Sequence, residues 1–317
     1  MHQGYKFDYR LVDTIGANMR DYLALHNMLF KGAAITQDWV RWYHGKIGGL
    51  DKDSRGTRTY GLYDGDQLIG IWSVEPKIFV VNNGHHMKCG RCFAVGINPE
   101  YRRMGLFVEL SKYAIEEEKK RSEYDFILGF PQSGRPVIGG HFKAGWEEAM
   151  NLSPYSINTE SYTSSSDRRG AEVITDFAKY SSSDSLAGCF YESNEYRNLR
   201  WLLHPHHHYL CYGFADSYIV LKPYLNFCHI VDFKGSAKIL AKLFTIAKDI
   251  AKRHGWVELN LWCADNEYFM NTVLEQGFTK GDQFVLPITM ITVRIAANNS
   301  FQALESCHLQ MGIEEAY

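Results

Sequence analysis

The chain has 317 residues, which allows two compact units or one large one and excludes a peptide or a disulfide-stapled miniprotein. Hydrophobic residues make up 45%, aromatic residues 14% and charged residues 22%, a composition outside the range of disordered chains. Lysine and arginine number 34 against 36 aspartates and glutamates, so the net charge of −2 predicts no general attraction to nucleic acid or to an anionic membrane.

The seven cysteines are an odd number spread along a long chain, which indicates reduced thiols rather than a disulfide framework. The N-terminus has no apolar stretch of the signal-peptide kind, and no run approaches 18 consecutive apolar residues. We therefore expect a cytoplasmic protein with no membrane partner and no nucleic-acid partner.

Residues 57–97 alternate between apolar and polar side chains in short runs. Turn signals separate the runs at Asp64-Gly65-Asp66 and at Asn82-Asn83-Gly84. Alternation with a period of two and turns of this kind predict an antiparallel meander.

The apolar period changes to that of a helix over residues 106–121. Its solvent side is predicted to carry two i,i+4 ion pairs, Glu116–Lys120 and Glu117–Arg121. A strand over 124–130 follows, and then a second helix over 136–143 that stops at Gly145.

A similar order of elements recurs later, with a helix over 238–253, a strand over 256–263 and a helix over 268–275. Gly145 and Gly277 lie 132 positions apart, and so do Tyr124 and Trp256, which start the two strands. The agreement predicts an internal duplication, with a chance coincidence of two α/β units as the alternative.

The serine-rich stretch between the two halves is interpreted as the link between them. The domain hypothesis is a first lobe over 1–155, a linking region over 156–185 and a second lobe over 186–317. The predicted class is α/β (α+β), each lobe being a mixed, mainly antiparallel sheet flanked by helices.

The segment from Ile97 to Phe107 combines a strand end, a basic turn and a glycine that opens a helix. A helix start offers unpaired backbone N–H groups and the positive end of the helix dipole, which together favour an anion. A pyrophosphate is the expected ligand. The alternative is a plain βα turn whose basic residues face water.

Arg102-Arg103-Met104-Gly105-Leu106-Phe107 resembles the coenzyme A-binding motif of the GNAT (GCN5-related) N-acetyltransferases, Gln/Arg-x-x-Gly-x-Gly/Ala. Pro99 and Tyr101 match the lead-in that is common in that family, and Phe107 departs from it, since glycine or alanine is usual there. The order of elements over residues 1–150 also resembles the GNAT fold.

The resemblance implies that acetyl-CoA is the co-substrate and that the turn holds its pyrophosphate. It also implies that the preceding strand pairs with the pantetheine arm, and that a bulge near Gly96 aims a backbone N–H at the thioester oxygen. The expected coenzyme-binding residues are Val95, Ile97, Arg102, Arg103, Met104, Gly105, Leu106, Phe107 and Val108.

His141 is the candidate catalytic residue. The family often has a tyrosine that acts as the general acid four residues before the glycine of its Gly-Phe pair, and His141 stands at that position before Gly145. An imidazole is able to protonate a departing thiolate near neutral pH. The alternative is a residue of the helix face without a chemical role. The corresponding residue of the second lobe is Val273, which cannot transfer protons.

The same offset places Lys234 and Ala237 at the positions of Arg102 and Gly105. The second lobe thus lacks the glycine and the arginine pair. We expect only the first lobe to bind acetyl-CoA, and the second to be a degenerate copy that shapes the acceptor site.

The expected acceptor-binding residues are Trp39, Tyr43, Trp201 and His206, whose rings are candidates for contact with a sugar or a base. The histidines of 204–208 have the wrong spacing for a complete metal site, so we expect no metal. Cys89 and Cys92 are interpreted as strand-packing residues rather than as a redox pair.

The resulting hypothesis is an acetyl-CoA-dependent N-acetyltransferase of the EC 2.3.1 type, acting by direct attack of an amine on the thioester. Within the superfamily, the two-lobed chain resembles transferases of surface-polysaccharide biosynthesis, which implies a nucleotide-linked deoxyamino sugar such as a dTDP-3-amino-3,6-dideoxyhexose as the acceptor. The alternatives are N-acyl transfer to an antibiotic, peptide or protein amine, and a non-catalytic acyl-CoA-binding protein. The oligomeric state, the acyl length and the general base stay open.

Overall fold

A computed structural model describes residues 7–47, 56–81, 85–131, 136–163, 170–180, 189–264, 267–281 and 286–294. Within these residues, 14 strands form one mixed, mainly antiparallel sheet. The strands are β1 Phe7–Leu11, β2 Arg58–Asp64, β3 Gln67–Val80, β4 His86–Ile97, β5 Phe126–Gly129, β6 Glu147–Asn158, β7 Glu172–Val173, β8 Cys189–Tyr191, β9 Leu210–Phe214, β10 Ser217–Tyr224, β11 Phe227–Lys234, β12 Glu258–Ala264, β13 Thr279–Lys280 and β14 Leu286–Thr292. The α-helices are α1 Met19–Leu29, α2 Gln37–Val40, α3 Leu106–Arg121, α4 Val137–Lys143, α5 Asn194–Arg197, α6 Ala237–His254 and α7 Glu267–Glu275.

The predicted antiparallel meander and most helix bounds are confirmed. Residues 67–80 form one long strand, β3, and the turn at 64–66 brings Asp64 opposite Gln67. The second predicted turn, at 82–84, lies outside the described residues. Helix α3 covers 106–121 as predicted, but its ion pairs have i,i+3 spacing, Glu116 with Lys119 and Glu117 with Lys120.

The strand order shows that the two predicted lobes exchange strands. The order is β1-β2-β3-β4-β5-β14-β6-β12-β11-β10-β9-β7, with β8 beside β3 and β13 beside β6. Strand β6 follows α4 of the first lobe, yet it pairs with β12 of the second. Strand β14 closes the second lobe in the chain, yet it pairs with β5 of the first.

Residues 151–158 span the boundary that the domain hypothesis draws between the first lobe and the linking region. They belong to β6, which lies in the middle of the sheet between β14 and β12. Leu152 and Tyr155 of this stretch are buried, at 1% and 0% exposure. The boundary drawn after residue 155 thus falls inside a central strand.

The duplication predicted from spacing has a conformational counterpart. Gly145 and Gly277 follow α4 and α7 and both have left-handed φ angles, 96° and 86°. Only glycine adopts this conformation without strain, so both helices end in the same way. His141 and Val273, 132 positions apart, are both buried.

A second structural feature, a capped short helix, occurs in both halves of the chain at an offset other than 132. Thr36 and Ser193 cap α2 and α5, and each side chain accepts a hydrogen bond from the backbone N–H three residues on. Each helix then continues as a π-helical turn, Arg41–Ile47 in the first lobe and Asn198–Leu202 in the second. Such turns occur often at functional sites.

The two faces of the first-lobe sheet are covered by different helices. Trp72 packs in the cluster that includes Leu106 and Leu110 of α3, whereas its neighbour Ile71 packs in the cluster that includes Tyr22 of α1. The alternation of period two therefore places α3 on one face and α1 with α2 on the other. In the described part of the chain, no helix is long and apolar enough to cross a membrane.

Candidate acyl-transfer site

Strands β4 and β5 run parallel and then separate. Their pairing begins at Cys89 opposite Phe126 and ends at Cys92 opposite Gly129, the last residue of β5. Residues 93–97 of β4 continue along β3. On the β5 side these residues have no strand partner among the described residues, so an extended ligand can pair with their backbone there.

A bulge in β4 lies next to the point of separation. Phe93 pairs with Ser73 and Gly96 pairs with Ile71, so Ala94 and Val95 together face Trp72. Ala94 has a φ of 46°, which costs an alanine roughly 1–2 kcal/mol. The bulge predicted near Gly96 thus lies one to two residues earlier.

Gly96 has a packing role instead of forming the bulge. A Cβ atom at this position would stand 2.9 Å from Cδ1 of Leu29, so the glycine allows α1 to approach the sheet. Helix α1 therefore covers β4 beside the bulge.

The connection between β4 and α3 covers residues 98–105 and forms a backbone concavity at the start of a long helix. A 3₁₀ turn, Pro99–Tyr101, is held by the side chain of Asn98, which accepts from the N–H of Glu100 at 3.1 Å. Arg103 and Gly105 are both left-handed, with φ angles of 66° and 79°. Turns of this kind present successive backbone N–H groups to an anion.

The surroundings of this helix start suit an anionic ligand. Gly105 is the N-cap of α3 and no side chain caps the helix there. A Cβ atom at Gly105 would meet nothing within 4 Å, and Arg102 and Arg103 are exposed beside it. The structure thus brings an arginine pair and the positive end of a 16-residue helix to one open position.

Phe107, the departure from the family motif, is accommodated by a glycine in the neighbouring helix. Gly140 of α4 leaves room for the ring, since a Cβ atom there would stand 2.5 Å from Cε1 of Phe107. The side chain therefore points to α4 and leaves the backbone of the turn unobstructed.

His141 lies on α4 next to the end of β5, where its Cε1 would stand 2.9 Å from a Cβ atom at Gly129. The ring is 4% exposed and packs 4.7 Å from Trp146 and 6.0 Å from Phe107 between ring centroids. Burial lowers the pKa of His141 to about 4. The imidazole is therefore neutral at pH 7.

The exchanged strand β14 fixes the orientation of this ring. Thr289 donates its hydroxyl hydrogen to the carbonyl of Gly129 at 3.4 Å, which leaves its lone pairs for Nδ1–H of His141 at 2.9 Å. Nε2 then carries a lone pair rather than a proton. This arrangement does not suit the acid role that the resemblance implies.

The aromatic residues expected at the acceptor site are packed inside the protein. Trp39 and Tyr43 are 8% and 1% exposed and stack on each other at 4.7 Å with an interplanar angle of 15°. Trp201 is 2% exposed and donates to Asp232 at 3.2 Å. Contact between an acceptor and these rings stays a prediction. Such contact would require the rings to move away from the residues that they now pack against.

His206 is the exposed member of the expected acceptor group. Its Nε2 lies 2.8 Å from the hydroxyl of Thr36, so it joins the second lobe to the start of α2. Nδ1 of His204 accepts from the backbone N–H groups of His206 and His207, both at 3.0 Å. No group of side chains suited to a metal ion is found among the described residues.

Cys89 and Cys92 are buried on opposite faces of β4, which confirms their interpretation as packing residues. Cys89 packs against Phe79 and Phe126, whereas Cys92 lies in the cluster under α3. Neither thiol forms a disulfide bond within the described residues.

The second lobe lacks the concavity for a structural reason beyond its sequence. Strand β11 ends at Lys234 and α6 begins at Ala237, so only Gly235 and Ser236 connect them. The constant offset therefore fails in this loop, and Ser236 rather than Ala237 takes the N-cap position of Gly105. Two residues are too few to form a concavity like that of 98–105.

A buried charged cluster on the face opposite α3 is not among the features predicted from the sequence. It joins β3 and β4 to the π-helical turn of the first lobe and to α5. The sequence does contain a signal for this cluster, because charged residues stand at inward-facing positions of strands that are otherwise apolar. The members are Tyr43, Glu75, Lys77, Arg91 and Tyr196.

Comparisons with known proteins agree with this geometry. Residues 16–149 match the family model described as an acetyltransferase (GNAT) domain. No protein of curated function matches the chain in sequence.

Similar solved structures cover most of the chain. A probable N-acyltransferase from Enterococcus faecalis has a TM-score of 0.67 at 13% identity, and the match covers 91% of this chain and 73% of that one. A GCN5-related N-acetyltransferase from Anabaena variabilis has a TM-score of 0.66 at 16% identity, with 95% and 75% covered. Eis1 from Mycobacterium abscessus has a TM-score of 0.61 at 13% identity, with 93% and 76% covered.

At these identities the similar structures show the fold, while the family match and the first-lobe geometry bear on the activity. The match of residues 16–149 to an acetyltransferase (GNAT) domain identifies the protein as an acyltransferase.

Proposed function

We propose that the first lobe transfers an acetyl group from acetyl-CoA to the amine of a small molecule. The observation that carries the proposal is the separation of β4 from β5 directly before the open start of α3. The backbone N–H groups of residues 103–107 would hold the pyrophosphate, with Arg102 and Arg103 beside it. The N–H of Val108, which was also expected to contribute, already donates to the carbonyl of Gly105 at 3.0 Å. Val95 and Ile97 would pair with the pantetheine arm.

The proposed reaction forms a bond between the amine nitrogen and the acyl carbon and breaks the bond from that carbon to sulfur. A neutral amine attacks, and the negative charge of the tetrahedral intermediate falls on the former thioester oxygen. A backbone N–H of the Ala94 bulge would stabilise that oxygen. The amine loses one proton to solvent or to a base, and the thiolate gains one.

We propose that solvent, rather than His141, protonates the thiolate. A group with a pKa near 4 is protonated in about one molecule in a thousand at pH 7. The ring also has its Nδ1–H engaged by Thr289. A thiolate with a pKa near 8.5 is a tolerable leaving group without an enzymatic acid.

For the acceptor, we propose a nucleotide-linked deoxyamino sugar as the first compound to test. The support is the resemblance stated above and an exposed imidazole, His206, between the two lobes. The second candidate is an antibiotic, peptide or protein amine.

Thiol release from acetyl-CoA in the presence of a panel of amines tests the proposal. Turnover restricted to amino sugars supports the first acceptor class, and turnover with peptides or aminated antibiotics supports the second. Binding of acetyl-CoA by calorimetry without turnover on any amine would instead support a non-catalytic acyl-CoA-binding protein.

A further inference from the structure

The charged cluster opposite α3 is centred on the carboxylate of Glu75. Arg91, the cross-strand neighbour of Glu75, donates to Oε2 from Nε at 2.9 Å, and its Nη2 lies 2.8 Å from the same oxygen. Lys77 lies 2.6 Å from Oε1, and Tyr43 donates to Oε2 at 2.6 Å. Arg91 also donates to the hydroxyl of Tyr43.

This cluster is buried to a degree that is unusual for ions. Glu75 and Arg91 are each 2% exposed, and the side chain of Lys77 is 8% exposed. Burial alone would lower the pKa of Lys77, but the neighbouring charge of Glu75 outweighs it and the pKa is raised. Lys77 therefore remains charged at neutral pH.

Stability alone is a poor explanation for such a cluster. Removing ions from water costs several kcal/mol each, and a buried ion pair often contributes no more than a well-packed apolar group would. A buried and fully bonded polar network does, however, fix the geometry of the residues around it. The question is which geometry this one fixes.

One side of the cluster holds the β4 bulge. The Arg91 guanidinium lies 5.3 Å from the ring centroid of Phe93, and the ring of Tyr43 packs edge-on against Phe93, also at 5.3 Å. Phe93 precedes Ala94, the left-handed residue of the bulge. Glu75 thus holds the two side chains that clamp the residue before the bulge.

The other side of the cluster reaches the second lobe. Lys77 donates to the hydroxyl of Tyr196 at 2.7 Å and lies 4.0 Å from the centroid of its ring. Tyr196 is on α5, and its ring packs in the same cluster as α1 and α2. A chain of polar bonds therefore runs from Tyr196 of the second lobe through Lys77 and Glu75 to Arg91 and Tyr43, and ring contacts connect these two residues to Phe93.

We propose that Glu75 is a positioning residue, which holds the Ala94 bulge through Arg91 and Tyr43 and makes its geometry depend on the second lobe through Lys77 and Tyr196. The inference rests on the proposed function, because the bulge matters for turnover only if its backbone contacts the thioester oxygen. It gives the second lobe a role in the first-lobe reaction that does not require a second coenzyme site.

Phenylalanine substitutions test the proposal with little change of shape. Tyr43→Phe removes the bond to Glu75, and Tyr196→Phe removes the bond to Lys77 but keeps the ring beneath the ammonium. The matched control is Tyr60→Phe, since Tyr60 is equally buried and donates to a carboxylate, Glu118, at 2.7 Å in a separate ion cluster.

Turnover, acetyl-CoA binding and hydrogen exchange of the segment 91–97 are measured for all three variants. A misplacement of about 1 Å at a reacting centre costs up to about 100-fold in rate. We expect kcat to fall about 10-fold in Tyr43→Phe and less in Tyr196→Phe, with the KM and Kd for acetyl-CoA unchanged. Exchange over 91–97 is expected to be faster in both, and neither kcat nor that exchange should change in Tyr60→Phe.

Two outcomes overturn the proposal. One is an equal loss of turnover in Tyr60→Phe and Tyr43→Phe, which would mean a general effect of stability. The other is unaltered exchange over 91–97 in Tyr43→Phe. Hydrogen exchange does not depend on an acceptor. If the protein shows no turnover with any amine, the proposed function fails, but the exchange of residues 91–97 still tests whether Glu75 positions the bulge.

Discussion

The ring of Phe107 on α3 occupies the space that Gly140 leaves open on α4, with Cε1 2.5 Å from where a Cβ atom would stand. The two positions compensate each other: a residue larger than the family motif expects faces a residue without a side chain. Helices α3 and α4 are thereby brought together beside the coenzyme turn.

This relationship predicts opposite results for two adjacent glycines. Gly140→Ala should destabilise the protein by about 1–3 kcal/mol, because the added methyl collides with the ring in a packed region. Gly139→Ala should stabilise it by about 0.5–1 kcal/mol, because a Cβ there meets nothing within 4 Å and alanine favours the helix. Denaturant unfolding measures both.

Adding Phe107→Ala to Gly140→Ala is the complementary test. The second substitution removes the ring that the first one strikes, so the double variant should lose less stability than the sum of the two single variants. Additive losses would contradict a direct contact.

A second prediction concerns the start of α3. Gly105→Glu should abolish acetyl-CoA binding, because a carboxylate enters the place proposed for the pyrophosphate. Gly255→Glu is the matched control, since Gly255 also has a left-handed φ, 70°, and open surroundings but caps the end of α6. Calorimetry with acetyl-CoA should show binding in the control alone, and binding in both would remove the turn from the site.

Local patterns were sufficient to predict much of the first lobe. The bounds of α3, the helix stop at Gly145 and the packing role of Cys92 follow from periodicity, from glycine and from alternation within a strand. Each of these features depends on residues close together in the chain. The predicted coenzyme turn also lies within one short segment, which is why it could be predicted from the sequence.

The features that the sequence did not reveal are the ones that join distant segments. The boundary expected after residue 155 falls inside β6, because nothing local marks the exchange of β6 and β14 between the lobes. The repeat of Thr36 and Ser193 was hidden because its offset differs from 132 where loop lengths differ. Glu75 and Tyr196 are 121 positions apart, so only the fold shows that one cluster contains both.

A third prediction concerns His141. A general acid contributes about 100-fold to 10,000-fold to a rate. Because the ring is neutral and its Nδ1–H is engaged by Thr289, we expect His141→Asn, which keeps a donor toward that hydroxyl, to change kcat less than 10-fold at pH 7. A loss of 100-fold or more, without a change in acetyl-CoA affinity, would restore the acid role.

A fourth prediction concerns pH and the fold under α1 and α2. Burial lowers the pKa of His26 to about 4, and burial together with the nearby His26 lowers the pKa of His44 to about 3. The unfolded chain takes up these protons near pH 6.5. Below that pH the unfolded state binds more protons than the folded state, so the free energy of unfolding should fall as the pH drops from 6.5 toward 4.

Unfolding by denaturant at several pH values measures this loss, with each histidine contributing about 1.4 kcal/mol per pH unit in that window. His26→Leu should reduce the slope of the free energy of unfolding against pH by the contribution of one proton. An unchanged slope in this variant would show that His26 is protonated in the folded protein.

The bulge in β4 provides the last prediction. Ala94 and Ala215 are both alanines with left-handed φ angles, 46° and 55°, but Ala215 lies in the turn between β9 and β10. Replacing either by glycine relieves the contact between Cβ and the backbone, so both variants should gain up to about 1 kcal/mol of stability. Glycine also frees the backbone, and only at position 94 would that loosen the N–H proposed to face the thioester oxygen. We therefore expect kcat to fall in Ala94→Gly alone, and equal activity in the two variants would place the oxyanion donor elsewhere.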